Sequence, residues 1–222
     1  MDREGIIVIN KPTGMTSHDV VNRLRRKFRM RRIGHAGTLD PLATGVLVML
    51  LGKATKLFSK FEGFDKAYKA TLILGIKTTT ADIQGKELEH HPIDHIRQQD
   101  VENVFGDYRG DIEQLPPMVS AVKVNGRRLY ELARKGVEVK RKPRKITIYD
   151  LELISFEPPR VRFFLECSKG TYVRQLAEDV GERLECGACI AEIQRTQVGP
   201  FRIEEAVSLD EANESHIRSW QG

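Results

Sequence analysis

A carboxylate set among small residues is the first place in this sequence where chemistry could sit. In "RRIGHAGTLDPLATGVL", residues 31–47, Asp40 stands among Gly34, Gly37 and Gly45 and directly precedes Pro41. Asp before Pro commonly opens a turn. The three glycines add a second reading, because small residues let backbone and ligand approach closely. Such a loop can present the Asp to a substrate.

Other chemistry-bearing patterns fit less well. Cys186 and Cys189 form a C-x-x-C pair, half of a zinc site or a redox couple. Zinc needs two further ligands, and none of the six histidines is suitably spaced. The expectation is three small buried thiols, Cys167 included, and no metal. "LGKAT" fails as a phosphate-binding loop, since Leu47 stands where the first glycine belongs and Ala54 follows Lys53. No nucleophile elbow is present. His18 with Asp19, and His35 with Asp40, lack metal-ligand spacing, while His90 and His91 lie in a polar stretch and read as solvated.

Charge is segregated. Residues 23–32 hold seven basic groups and no acid, and residues 127–145 hold nine basic groups against two acids. The whole chain carries only +5, so the remainder is acidic on balance. Such a field suits a polyanion held on one side. A merely solvated face is the plainer alternative, but seven crowded positive charges repel one another and favour phosphate binding.

Several elements must position these groups. "GIIVIN" reads as a short buried strand ended by "KPTG". Thr16 or Ser17 can cap a helix whose apolar face is Val20, Val21, Leu24 and Phe28. The run Val46–Leu51 has strand or buried-helix length. "KAYKATLILG" alternates as a half-buried strand, and residues 93–108 read as a helix. "MVSAVKVNG", "ITIYDLELI" and "RVRFFLECS" are further strands, and "GTYVRQLAEDVGERL" is an amphipathic helix. Gln84–Asp94 reads as a polar linker within one domain. Strands outnumber helices without alternating strictly, which predicts an α+β fold: a mixed, mostly antiparallel sheet with helices packed on it.

The 222 residues suffice for one good core. No apolar run approaches the ~18 residues of a membrane span. The start "MDREG" lacks a signal-peptide pattern, so a cytoplasmic protein is expected.

Five collinear segments then resemble one family, the bacterial tRNA pseudouridine synthases of the TruB type. They are "INKPTGMTSHDVV", "RRIGHAGTLDPLATGVL", "DKAYKATLILG", "LPPMVSAVKVNGRRLYELAR" and "CSKGTYVRQLAEDVGERLECGA". The resemblance implies a pseudouridine synthase fold with an active-site cleft across the sheet. It also implies isomerisation of one T-loop uridine of tRNA, at the position conventionally called 55, with no metal and no cofactor. Asp40 matches the catalytic acid, acting either as nucleophile at C1′ or as a base toward the sugar. Arg174 matches the arginine that pairs with that acid, and Tyr68 the tyrosine over the target base. Tyr172 and Ile193 match pocket-lining positions, and His35 the residue that fills the space of turned-out bases. Asp82 matches an acid that orders a neighbouring loop. Arg25, Arg26, Arg31 and Arg32 would grip RNA phosphates. The expected partner is tRNA, bound by a monomer away from membranes.

Three departures stand out. Thr79 replaces a usual Asp, and Cys189 stands where another polar residue is common. The sequence stops after "SLDEANESHIRSWQG", about where full-length members begin a small RNA-binding PUA domain, so a single catalytic domain over residues 1–222, with that domain absent or truncated, is expected. A non-catalytic RNA-binding helper and a metal-dependent hydrolase are the competing classes.

Overall fold

The computed structural model describes residues 4–120, 123–124, 126–129, 137 and 139–220. In chain order its elements begin with β1 (Gly5–Lys11), α1 (Ser17–Lys27), β2 (Ile33–Ala36), β3 (Thr44–Leu51), α2 (Phe58–Glu62) and β4 (Lys66–Leu74). Next come β5 (Ile76–Thr78), β6 (Glu87–His90), α3 (Gln98–Asp107), β7 (Gly110–Gln114), β8 (Lys123–Val124) and β9 (Arg127–Arg128). The last are β10 (Arg144–Glu157), β11 (Arg160–Cys167), α4 (Val173–Arg183), β12 (Ala188–Val198) and β13 (Phe201–Arg202). The result is the expected α+β fold, with mixed and mostly antiparallel pairing. Two compact units divide the chain, one of Met1–Lys69 with Ile193–Gly222 and one of Ala70–Glu192.

In the first unit β3 is central. β1 and β2 run antiparallel to it, and β12 runs parallel to it at Thr44 and Gly45. A strand with neighbours on both edges and cover on both faces reads as a continuous apolar run, which is why "VLVMLL" shows no alternation. From Gly45 to Leu51 every residue is buried. One face joins Ile6, Val8, Val46, Val48 and Leu50 to Phe61, Val198 and Phe201. Trp220 closes this cluster, 5.1 Å from the Phe61 ring and 5.2 Å from the Phe201 ring. The segment around it also pairs with β1, since the Ile6 amide donates to Arg218 O at 2.9 Å. That pairing occupies part of a strand edge that would otherwise be open.

Helix α1 forms where its apolar spacing predicts, with Val20, Val21 and Leu24 buried. Thr16 is the cap: its hydroxyl accepts from the Asp19 amide at 3.1 Å while Asp19 accepts from the Thr16 amide at 2.9 Å. This capping box leaves the Ser17 hydroxyl for another task.

In the second unit β4 (from Ala70), β11, β10 and β7 follow one another in the order β4-β11-β10-β7. β11 alternates as expected, with Val161, Phe163, Leu165 and Cys167 all buried. β4 buries Tyr68, Ala70, Leu72 and Leu74 on one face as expected, while its other face is mixed, with Ala67 and Thr71 buried, Ile73 half-buried and Lys69 exposed. The supposed linker Gln84–Asp94 contains strand β6, paired antiparallel with β5. All four β6 residues are exposed, so backbone bonds define a strand that no apolar pattern marks. Helix α3 starts at Gln98 rather than near residue 93, where Asp100 accepts from the Arg97 amide at 2.7 Å. Of "MVSAVKVNG", residues 121, 122 and 125 lie outside the described residues, and among the described ones Lys123–Val124 is the strand.

Gly45 has φ +98°, and a Cβ there would lie 2.2 Å from the Arg195 carbonyl oxygen. Gly45→Ala should therefore lose about 1–2 kcal/mol from the left-handed backbone alone, with more from the overlap. Urea unfolding followed by circular dichroism measures this, and an unchanged midpoint would contradict the parallel contact.

Candidate active site

Asp40 sits on the loop between β2 and β3, and several backbone groups of that loop are tied to neighbouring segments. The Ala43 amide closes the turn on the Asp40 carbonyl at 3.1 Å. Ser17, buried in the first turn of α1, binds Leu39 twice: its hydroxyl donates to the Leu39 carbonyl at 3.1 Å and accepts from the Leu39 amide at 2.8 Å. The Gly14 amide donates to Pro41 O at 2.8 Å, and the Thr13 hydroxyl to Leu42 O at 3.2 Å. The segments "KPTGMTS" and "GTLDPLATG", far apart in sequence, thus form one interlocked structure.

Two buried cations complete it. The Lys11 ammonium donates to Pro12 O at 2.8 Å, Met15 O at 2.7 Å and Pro41 O at 3.4 Å. Burial lowers its pKa to about 8; the Asp40 and Asp19 charges oppose that shift and the Arg195 charge adds to it. Arg195, on β12, donates from Nε to Val46 O at 2.8 Å, from Nη2 to Gly37 O at 3.0 Å and from Nη1 to Thr38 O at 3.4 Å.

His35, on β2, is half-buried. Burial, helped by the Arg195 and His18 charges, lowers its pKa to about 4. Its Nδ1 is buried and finds no hydrogen-bond partner among the described residues. At neutral pH it offers a flat, uncharged ring. Tyr68 on β4 and Ile193 on β12 are both buried, and the Thr44 hydroxyl donates to Ile193 O at 3.3 Å. Ile193 therefore lies beside the strand that leaves the Asp40 loop.

Tyr172 and Arg174 belong to the second unit. Gln114 brackets the Tyr172 backbone, donating to its carbonyl at 3.1 Å and accepting from its amide at 2.8 Å. Arg174, buried, donates to Thr80 O at 2.7 Å and Val119 O at 2.8 Å, with Asp82 Oδ2 at 3.8 Å. The Asp82 Oδ1 accepts from the Thr80 hydroxyl at 2.7 Å and the Gln84 amide at 3.1 Å, bonds within its own loop. Thr79, the departure, still supplies an acceptor, its hydroxyl taking the Lys86 amide at 3.0 Å.

The basic stretch divides its labour. Arg23 pairs with Asp210, Lys27 donates to Leu209 O at 3.1 Å and Arg25 donates to Ile33 O at 3.0 Å, so these three tie α1 to its surroundings. Arg26, Arg31 and Arg32 are exposed, Arg32 with Nε 2.9 Å from the Thr55 hydroxyl. Met15, Asp19, Asn22, Arg25 and Arg26 line an open cleft of about 450 Å³. Much of the second basic segment, residues 127–145, lies outside the described residues. The three cysteines are free and buried, and burial pushes the Cys189 thiol up to about 11, so it is no thiolate at neutral pH. Among the described residues no three His, Cys, Asp or Glu side chains group to hold a metal, and no helix is long and apolar enough to cross a membrane.

Sequence patterns had singled out neither Ser17 and Lys11 nor Gln114 and Arg195 as site residues. The one available signal was the phase of Arg195, which shares the buried face of β12 with Ile193.

The structure predicts a neutral His35 throughout the physiological range. Its folded pKa lies below the ordinary 6.5, so on acidification the unfolded chain binds the proton first and stability falls between pH 6.5 and about 4. NMR titration should give no His35 inflection above pH 5, and His35→Gln should flatten that acid limb. An inflection near 6.5 would contradict the burial.

Residues 25–173 match the model of the TruB family pseudouridylate synthases (N-terminal domain), and residues 174–219 that of the tRNA pseudouridylate synthase B C-terminal domain. The tRNA pseudouridine synthase B of Syntrophotalea carbinolica is 50% identical over 93% of this chain and 67% of its own length. That of Opitutus terrae is 46% identical over 93% and 86%. Among solved structures, a Cbf5-Nop10-Gar1 complex matches with a TM-score of 0.74 and 30% identity over 94% of this chain. An H/ACA RNP bound to a substrate RNA containing 2′-deoxyuridine matches with a TM-score of 0.71 and 26% identity over 95%. The chain spans about half the length of those two structural relatives (53% and 52%).

Proposed function

The chain belongs to the TruB family of pseudouridylate synthases, and from that membership we propose that it isomerises uridine to pseudouridine in tRNA, at T-loop position 55. The observation that carries the reading is the Asp40 loop, which lies within the matched region and whose backbone is fixed on both sides by buried donors. The reaction breaks C1′–N1, turns the uracil and forms C1′–C5, while C5 loses a proton and N1 ends protonated. Atoms balance without an external reagent. Positive charge develops on the ribose as the first bond stretches, and a fixed carboxylate lowers that barrier. Asp40 is the catalytic acid group of this proposal, with Tyr68 toward the base and Arg174 as the family's partner cation.

Reaching a stacked uridine requires turning it out of the folded loop. The neutral ring of His35 suits the space left behind, because an uncharged imidazole stacks without bringing a desolvated charge. Tyr172 and Ile193 line the pocket in this reading. Arg26, Arg31 and Arg32 are exposed and remain available to phosphates, with Arg25 also at the cleft rim.

Tritium release from tRNA labelled at uridine C5 tests the activity. Wild type should release label, and Asp40→Asn should fall to background; equal release by both removes Asp40 from the mechanism. Replacing Arg26 and Arg31 together with Ala should make the slope of log K against log salt shallower by about 1–2, measured by filter binding. Arg25→Ala should instead lower thermal stability, since its guanidinium holds the Ile33 carbonyl.

A further inference from the structure

Arg195 is a cation in the apolar phase of a strand. Its side chain is 2% exposed, on the face of β12 that also buries Ala191 and Ile193. Burying a guanidinium is expensive unless its donors are satisfied, and an apolar residue of similar volume often serves a core as well or better. Its partners explain why it is there. Gly37 and Thr38 belong to the chain entering the Asp40 turn, and Val46 to the strand leaving it. Their carbonyls point inward and require donors.

We propose that Arg195 is a positioning residue, whose buried guanidinium grips the carbonyls of Gly37, Thr38 and Val46 and so fixes the loop that carries Asp40. The root of the side chain is itself fixed, because Arg195 pairs with Gly45 in the parallel ladder and leaves no room for a Cβ there. The guanidinium is a rigid planar fork with five N–H donors, so it can span three carbonyls on both sides of a turn. A lysine ammonium is a single point of charge and cannot reproduce that spread. The same guanidinium acts electrostatically on Lys11 and His35, the other loop-facing groups. This inference rests on the reading of Asp40 as the catalytic acid.

The test uses the whole chain with Arg195→Lys and Arg195→Met. Three quantities are measured: single-turnover isomerisation of tRNA, tRNA affinity, and hydrogen exchange at the Leu39 and Ala43 amides with Val48 as a core reference. Arg195→Lys should lose roughly 10–100-fold in rate, the scale of small misplacements at a reacting centre. Its tRNA affinity should be unchanged, and exchange should accelerate at Leu39 and Ala43 but not at Val48. Arg195→Met should behave likewise; if it fails to fold, the lysine variant decides. Wild-type rate with wild-type loop exchange in Arg195→Lys overturns the proposal. Equal acceleration at Val48 also overturns it, because the residue would then serve the core generally. If wild type itself isomerises nothing, the functional reading fails while the exchange comparison still judges the clamp.

Discussion

Backbone carbonyls that turn inward must meet donors, and the loop around Asp40 depends on that rule. Its carbonyls at Gly37, Thr38, Leu39, Pro41 and Val46 are met by Arg195, Ser17, Lys11 and the Gly14 amide. Helices and ladders satisfy their carbonyls locally, but an irregular loop cannot. It therefore recruits side chains from α1, from the end of β1 and from β12, elements scattered along the chain. The consequence is a loop with the rigidity of a core element, able to hold an acid in one place.

The cost is visible in the titration of Lys11. Burial alone would favour the neutral amine, and the pKa falls to about 8. Three carbonyl oxygens and the Asp40 charge keep the ammonium useful at neutral pH. The second unit repeats the device with Arg174, whose guanidinium meets the Thr80 and Val119 carbonyls while Asp82 sits nearby. In both units a buried arginine converts irregular backbone into fixed geometry.

Regular periodicity was legible in the sequence wherever one face alone is buried. The stripe of α1 and the alternation of β11 are cases. Legibility failed where burial was not one-sided. β6 is exposed on both faces, so no apolar pattern could mark it. At the candidate site, the loop that carries Asp40 was legible because glycines and a proline mark it. Ser17 was not, because a Thr-Ser pair offers two hydroxyls for one cap and only tertiary structure assigns the other. Arg195 was hidden for a related reason, since a charged residue late in a strand looks solvated until its phase is compared with Ile193. The crowded cations of residues 23–32 read as one phosphate-binding patch, yet Arg23, Arg25 and Lys27 bond within the fold.

The proposed function requires these bonds to bring one carboxylate to one sugar. A crystal structure of the protein with a T-stem-loop RNA, in which the target nucleotide is a non-reacting uridine analogue, examines that directly. The analogue should be turned out of its stack, with an Asp40 carboxylate oxygen about 3–3.5 Å from C1′, near-attack distance. RNA bound with its uridine still stacked, or turned out with Asp40 facing away from the ribose, would contradict it.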